Sequence, residues 1–198
     1  SDLHISTGAP PMMRVDGKLI RTDFDVLDGE GTQKILYSIL DNEQIPRFEK
    51  EHELDIAFGI AGLGRFRTNI FMQRGTLGGV LRVIPYEILP MDKLGLPKEI
   101  TEELCNTPKG LVLVTGATGS GKSTTLASMI DYINRTRNCH IITIEDPIEF
   151  MHRNKASLVN QREIGEDTHG FAKSLRTVLR QDPDVIMIGE MRDLETIE

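Results

Sequence analysis

The stretch Leu111-Val112-Leu113-Val114-Thr115-Gly116-Ala117-Thr118-Gly119-Ser120-Gly121-Lys122-Ser123-Thr124 decides the fold of this chain. Four apolar residues enter a turn with three glycines, and a helical pattern then runs from Lys122 to about Arg135. Gly116 to Ser123 has the spacing of a phosphate-binding loop, G-x-x-x-x-G-K-[ST]. The glycines let backbone N–H groups turn inward and approach phosphate oxygens closely. A helix starting near Lys122 adds its positive end. In this reading Lys122 reaches the β- and γ-phosphates, the Ser123 hydroxyl ligates Mg²⁺, and Thr124 faces the α-phosphate or the helix start. The alternative is an accidental glycine-rich turn, which the strand–loop–helix context opposes. The expected ligand is therefore ATP with Mg²⁺; the motif says nothing about what hydrolysis drives.

Working outward, the rhythm around the loop is strand, helix, strand. Leu111 to Val114 reads as the strand feeding the loop, and His140 to Ile144, Leu158 to Gln161 and Val185 to Ile188 as further short strands. Gly170 to Arg180 is helical, with Phe171, Leu175, Val178 and Leu179 on one face. Apolar strands alternating with helices indicate a parallel sheet covered on both faces, an α/β fold.

An enzyme of this kind needs carboxylates opposite the phosphates, to hold the metal and polarise the attacking water. Two candidates end apolar strands, where an open α/β sheet presents its crevice. One is Thr143-Ile-Glu145-Asp146-Pro147-Ile-Glu149; the other is Gly189-Glu190-Met-Arg192-Asp193 after Val185 to Ile188. Glu145 and Glu190 are the stronger candidates, and the residues alone leave open which is base and which holds metal. Asp146 and Glu149 read equally well as solvated loop acids.

The first half has a different texture, α+β. Met12 to Val15 and Lys18 to Arg21 flank Asp16-Gly17, a two-residue hairpin signal. Asp28 is placed to cap a helix reaching about Leu40, with Ile35, Ile39 and Leu40 at helical spacing. A polar helix and three strand-like stretches, Leu54 to Ile60, Arg65 to Gln73 and Leu77 to Ile84, follow. Residues 87–97, punctuated by Pro90, Gly95 and Pro97, read as a linker between domains 1–86 and 98–198. Between Asp55 and Glu87 there is no acid and no lysine, only Arg65, Arg67, Arg74 and Arg82. Arg65 and Arg67 alternate along a strand and share a face. Two readings stand: guanidinium forks offered to a nucleotide phosphate, or a basic exposed sheet face.

Composition bounds the rest. The 198 residues are 39% hydrophobic and 27% charged, ordinary for a chain with a core, and at 5% aromatic with no Trp that core is aliphatic. A net charge of −7 opposes general nucleic-acid binding. Two cysteines, Cys105 and Cys139, cannot form a disulfide framework and fit a reducing compartment as small hydrophobes. The five histidines show no metal spacing and are expected to be structural. No apolar run approaches a membrane span.

Beyond these motifs, Ser1-Asp2-Leu3-His4-Ile5-Ser6 with Pro11-Met-Met-Arg-Val-Asp-Gly17, the acidic stretch 143–149, Asn160-Gln161-Arg162-Glu163 and Gly189-Glu-Met-Arg-Asp-Leu-Glu195 together resemble the PilT-type ATPases of the secretion ATPase superfamily. The resemblance implies a PAS-like N-terminal domain followed by a RecA-like P-loop domain. It implies that Glu145 is the catalytic glutamate and Glu190 the magnesium-site glutamate. It further implies that Arg67 and Arg82 approach nucleotide between lobes or across subunits. It also implies a homo-hexameric motor for pilus retraction (twitching motility), cytoplasmic, at the inner face of the bacterial inner membrane and acting on a membrane platform protein. That family continues beyond the second nucleotide motif, so the RecA-like domain is expected to be cut short after Glu198. Asp2 and His4 belong to the shared signature with no chemical role assigned.

Rival readings are pilus extension or type II secretion, whose members carry a four-cysteine zinc motif that two cysteines cannot supply. A non-hydrolysing nucleotide-dependent interaction module and a DNA-translocating motor are further rivals. DNA-stimulated turnover would mark the latter.

Overall fold

Alternating apolar and polar residues in the first half form an antiparallel sheet in the computed structural model, which describes residues 2–191. Its strands are β1 (Asp2–Ser6), β2 (Met12–Val15), β3 (Lys18–Arg21), β4 (Glu53–Ile60), β5 (Gly64–Gln73) and β6 (Thr76–Ile84), in the order β3-β2-β1-β6-β5-β4. Asp16 and Gly17, at φ 47° and 79°, make the tight turn between β2 and β3. Helix α1 (Gly29–Tyr37) starts at Asp28, whose carboxylate accepts from the Gly31 N–H at 2.7 Å. Helix α2 (Gln44–Glu51) follows.

One row of register partners, Ile5, Gly79, Ile70 and Leu54, crosses four strands on the covered face of the sheet. Leu36 of α1 lies directly over Gly79: a Cβ there would come within 2.6 Å of a Leu36 methyl, so only glycine admits the helix this close. Phe48, Ile56 and Leu77 complete this core. The expected helical phase is corrected here. The buried positions of α1 are Thr32 and Leu36, while Ile35 is exposed, because the helix is set by the i, i+4 pair and stops at Tyr37. Ile39 and Leu40 pack at the core's edge from beyond the helix end.

The chain divides into two compact units, Ser1–Ile84 and Pro85–Glu198. In the second, β7 (His140–Glu145), β8 (Leu158–Glu163) and β9 (Val185–Ile188) form a parallel sheet ordered β8-β7-β9. Helices α3 (Lys98–Asn106), α4 (Lys122–Thr136) and α5 (Phe171–Val178) accompany it. Ile141 and Val159 pack on Met129, Ile130 and Ile133 of α4, and Ile142 and Ile144 pack on Val178 of α5 on the opposite face. β9 and most of β7 are apolar because both faces of the sheet are covered there, whereas edge strand β8 turns polar after Val159. Within residues 87–97, a short 3-10 helix (Met91–Leu94) buries Met91 in this unit's core, and Leu96 packs beside it. Cys105 is buried there too, and burial pushes its thiol up to about 11.

Two expectations are corrected in this unit. Leu179 lies past the end of α5 and is 65% exposed rather than part of its apolar face. Leu111 to Val114 forms no strand among the described residues, and Leu111 is 79% exposed. An apolar run becomes a strand only by joining a ladder, and this one pairs with neither edge of the β8-β7-β9 sheet among the described residues.

The connection from β7 to β8 is tied down to α4. Asn134, fully buried, donates to the Arg153 carbonyl at 2.7 Å and accepts from the Lys155 N–H at 3.1 Å. Asp131 of α4 pairs with both Lys155 and Arg135. No described helix is long and apolar enough to cross a membrane.

Candidate nucleotide site

The loop 116–121 delivers the chain into α4 through Gly121 at φ 91°, a left-handed conformation that glycine adopts without strain. No side chain caps this helix; the Thr125 N–H bonding the Gly121 carbonyl at 2.8 Å closes its first turn. The earlier N–H groups of the first turn therefore have no helical acceptor and are available to an anion. Lys122 folds back over the loop, its Nζ donating to the carbonyls of Gly116 and Ala117 at 3.0 Å each.

A cavity of about 460 Å³ opens beside this helix end. Thr118, Gly119, Gly121, Lys122, Ser123 and Thr124 form one wall, and Glu145 and Glu190 line it at the ends of β7 and β9. Gly116, Ala117 and Ser120 shape the loop but do not line the cavity. The Gly189 N–H bonds the Ile144 carbonyl at 2.8 Å, which holds the end of β9 against the end of β7. Asp146, Pro147, Glu149 and Phe150 supply another wall, and the Asp146–Pro147 peptide is cis. Arg192, Asp193 and Glu195 of the second acidic motif lie outside the described residues.

Glu145 is 93% removed from solvent, and this desolvation raises its carboxyl above the ordinary range. Hydrogen bonds act the other way: Thr143 Oγ1 donates to Oε1 at 2.6 Å and Gln161 Nε2 to the same oxygen at 3.1 Å. Both partners lie in stretches that the resemblance singled out, but their role emerges only when the β7–β8 register pairs Thr143 with Gln161. His152, expected to be merely structural, lines the cavity; burial pulls its imidazole down to about 4, so it is neutral at physiological pH. Ser123 and Glu190 offer oxygen donors in the same cavity, which suits Mg²⁺. Among the described residues no group of three acidic, histidine or cysteine side chains could hold a metal unaided. Magnesium bound mainly through substrate phosphates and water needs no such group.

The arginines lie in the first unit, on the sheet face opposite α1. Arg14, Asp2, Arg82 and Arg67 are successive register partners on β2, β1, β6 and β5. Arg65 shares the strand face of Arg67, whereas Arg74 sits in the β5–β6 turn. Arg82 Nε donates to Asp2 Oδ1 at 2.7 Å, and this guanidinium holds the Asp2 carboxyl below its usual range. Asp2 thereby gains a role that sequence reading did not give it. Arg67 is exposed and makes no hydrogen bond or ion pair among the described residues. Two guanidiniums directly opposite each other repel unless an anion joins them, and Asp2 pairs with Arg82 and Arg14 rather than with Arg67.

Asp2 also gives a stability prediction. Its folded pKa is depressed, so its contribution is present above the unfolded value of 3.8 and is lost as pH falls through the lower folded value. Because Arg82 is largely exposed, Asp2→Asn should lower Tm at neutral pH by only about 1–3 °C. Melting curves should converge as pH drops below 3.8; a gap that persists there would assign the loss to packing instead.

Residues 76–198 match the type II/IV secretion system protein family. The type IV pilus retraction ATPase PilT of Pseudomonas aeruginosa is 52% identical over 197 residues, covering all of this chain and 57% of that protein. A twitching motility protein of Neisseria gonorrhoeae is 46% identical over 187 residues, 94% of this chain and 50% of that one. Among solved structures, the pilus retraction motor PilT with bound ADP superposes with a TM-score of 0.92 at 55% identity, covering 100% of this chain and 57% of that one. The chain thus spans about half the length of these relatives.

Proposed function

Because the chain belongs to the type II/IV secretion system protein family, we propose that it is the nucleotide-binding portion of an ATP-hydrolysing motor that powers pilus retraction. The observation that carries the proposal is the single cavity that joins Lys122, Ser123, Glu145 and Glu190 at the start of α4. A binding loop alone would need no buried, constrained carboxylate; hydrolysis does.

In this reading the loop N–H groups and Lys122 hold the phosphates of ATP, and Glu145 takes the proton from the attacking water. Ser123 and Glu190 would hold Mg²⁺, which when bound neutralises charge developing on the phosphates. Arg67 and Arg82 deliver guanidinium groups to the γ-phosphate of a nucleotide, from the other lobe or a neighbouring subunit. Exposed Arg67, with no hydrogen bond or ion pair among the described residues, supports this assignment. We read the first unit as PAS-like and the second as RecA-like, in a homo-hexamer that works at the cytoplasmic face of the inner membrane through a platform protein. Higher identity over nearly the whole chain to the retraction ATPase and the twitching motility protein than to a type II secretion relative favours retraction over secretion.

Steady-state phosphate release by the full-length protein carrying this chain tests the proposal. Turnover indistinguishable from background, with nucleotide bound tightly, would favour a non-hydrolysing interaction module. Arg67→Ala and Arg82→Ala should each bind ATP as wild type and hydrolyse it about a hundredfold more slowly. Unchanged turnover in both would sink the arginine assignment.

A further inference from the structure

The Asn160-Gln161-Arg162-Glu163 stretch lies on β8, one strand away from Glu145, and does not itself carry the base or the metal donors. Gln161 nevertheless makes three hydrogen bonds to two separate parts of the cavity. Its Nε2 donates to Glu145 Oε1 at 3.1 Å and to the Phe150 carbonyl at 2.9 Å, and its Oε1 accepts from the His152 N–H at 2.7 Å. Two residues further along β8, Glu163 Oε2 accepts from the Ile148 N–H at 3.2 Å. Strand β8 therefore grips residues 148–152 at both ends, and these residues include cavity-lining Glu149, Phe150 and His152.

We propose that Gln161 is a positioning residue for ATP hydrolysis: its carboxamide fixes the Glu145 carboxylate and ties it to the cavity wall 148–152, so that wall and base keep one geometry. The proposal rests on the reading of Glu145 as the base.

The chemistry of the side chain is specific. A carboxylate neighbour needs a donor, the Phe150 carbonyl needs a donor and the His152 N–H needs an acceptor, and only a carboxamide offers both at this length. Glutamate keeps the acceptor and sets like charge against Glu145; methionine keeps the length and loses every bond. Thr143 holds the same Glu145 oxygen from its own strand but makes no bond to the wall, so it cannot replace the coupling.

The test uses the full-length protein and reads ATP affinity with a fluorescent nucleotide, kcat by phosphate release, and Tm. Gln161→Met should lower kcat roughly ten- to a hundredfold while ATP affinity stays within about threefold of wild type, since misplacement of a reacting group acts on the chemical step. Gln161→Glu should be at least as slow, and it decides the matter if the methionine variant is poorly folded. In a Glu145→Gln background, single-turnover rates should show Gln161→Met adding less than about a twofold further loss, because a residue acting through another is non-additive with it. Wild-type or raised kcat in both Gln161 variants would overturn the proposal, as would a full multiplicative loss in the Glu145→Gln background, which indicates a general structural role. The two readings fail separately. Normal turnover by Glu145→Gln alone removes the base assignment; a dead Glu145→Gln beside fully active Gln161 variants removes only the positioning role.

Discussion

Glu145→Gln should leave ATP binding intact and lower turnover by roughly 10²–10⁴-fold, the range that a positioned general base supplies. The carboxylate sits at the end of β7 with 7% of its surface exposed, in the cavity that also holds the phosphate loop. Desolvation raises its pKa and the bonds from Thr143 and Gln161 restrain that rise. A carboxylate so raised takes a proton more readily than an exposed one. Glutamine keeps the size of the side chain and a carbonyl oxygen for Thr143 and Gln161 to bond, so the wall of the cavity should survive. Only the basic oxygen is lost. Phosphate release measured beside nucleotide affinity separates the two quantities. Hydrolysis at the wild-type rate would transfer the role of base to Glu190, which lines the same cavity from the end of β9.

Local chemistry made much of this fold legible. Asp16-Gly17 gave its hairpin and Asp28 its helix cap because each acts on its immediate backbone. The phosphate loop and α4 were readable for the same reason: glycine spacing and the helix that follows are contiguous in sequence. Quantities set by partners were not. Leu111 to Val114 has the composition of a buried strand, but pairing is a property of two segments, and this one has no ladder among the described residues. Ile35 and Leu36 are adjacent and both apolar; which faces inward was decided by Gly79 on a strand more than forty residues later, where the absent side chain makes room. The same division runs through the site. Lys122, Ser123, Glu145 and Glu190 carry their chemistry in recognisable local patterns. Gln161 and Asp2 act through register, one across β7 and β8 and the other across β1 and β6, and nothing adjacent to them in sequence reveals it.

Lys122→Ala should remove nucleotide binding, with affinity for both ATP and ADP falling on the order of a hundred- to a thousandfold, as expected for the loss of charge-assisted bonds to phosphate. The ammonium occupies the loop now, bonded to the Gly116 and Ala117 carbonyls at 3.0 Å, so its position at the phosphate site is built in. Those two carbonyl bonds lie at an exposed turn, and Lys122 is no part of either core cluster of its unit. The fold should therefore persist, with Tm displaced by no more than a few degrees. Binding titrations with a fluorescent nucleotide, run beside a thermal melt, measure both. Tight ATP binding by the alanine variant would overturn the site itself, because the remaining loop N–H groups would then suffice. Taken with Glu145→Gln, this variant also separates the functional classes. A motor requires Lys122 for binding and Glu145 for turnover, so the two substitutions break different steps. In a non-hydrolysing module, Lys122→Ala would abolish the nucleotide response and Glu145→Gln would leave every measurable property of the nucleotide complex unchanged.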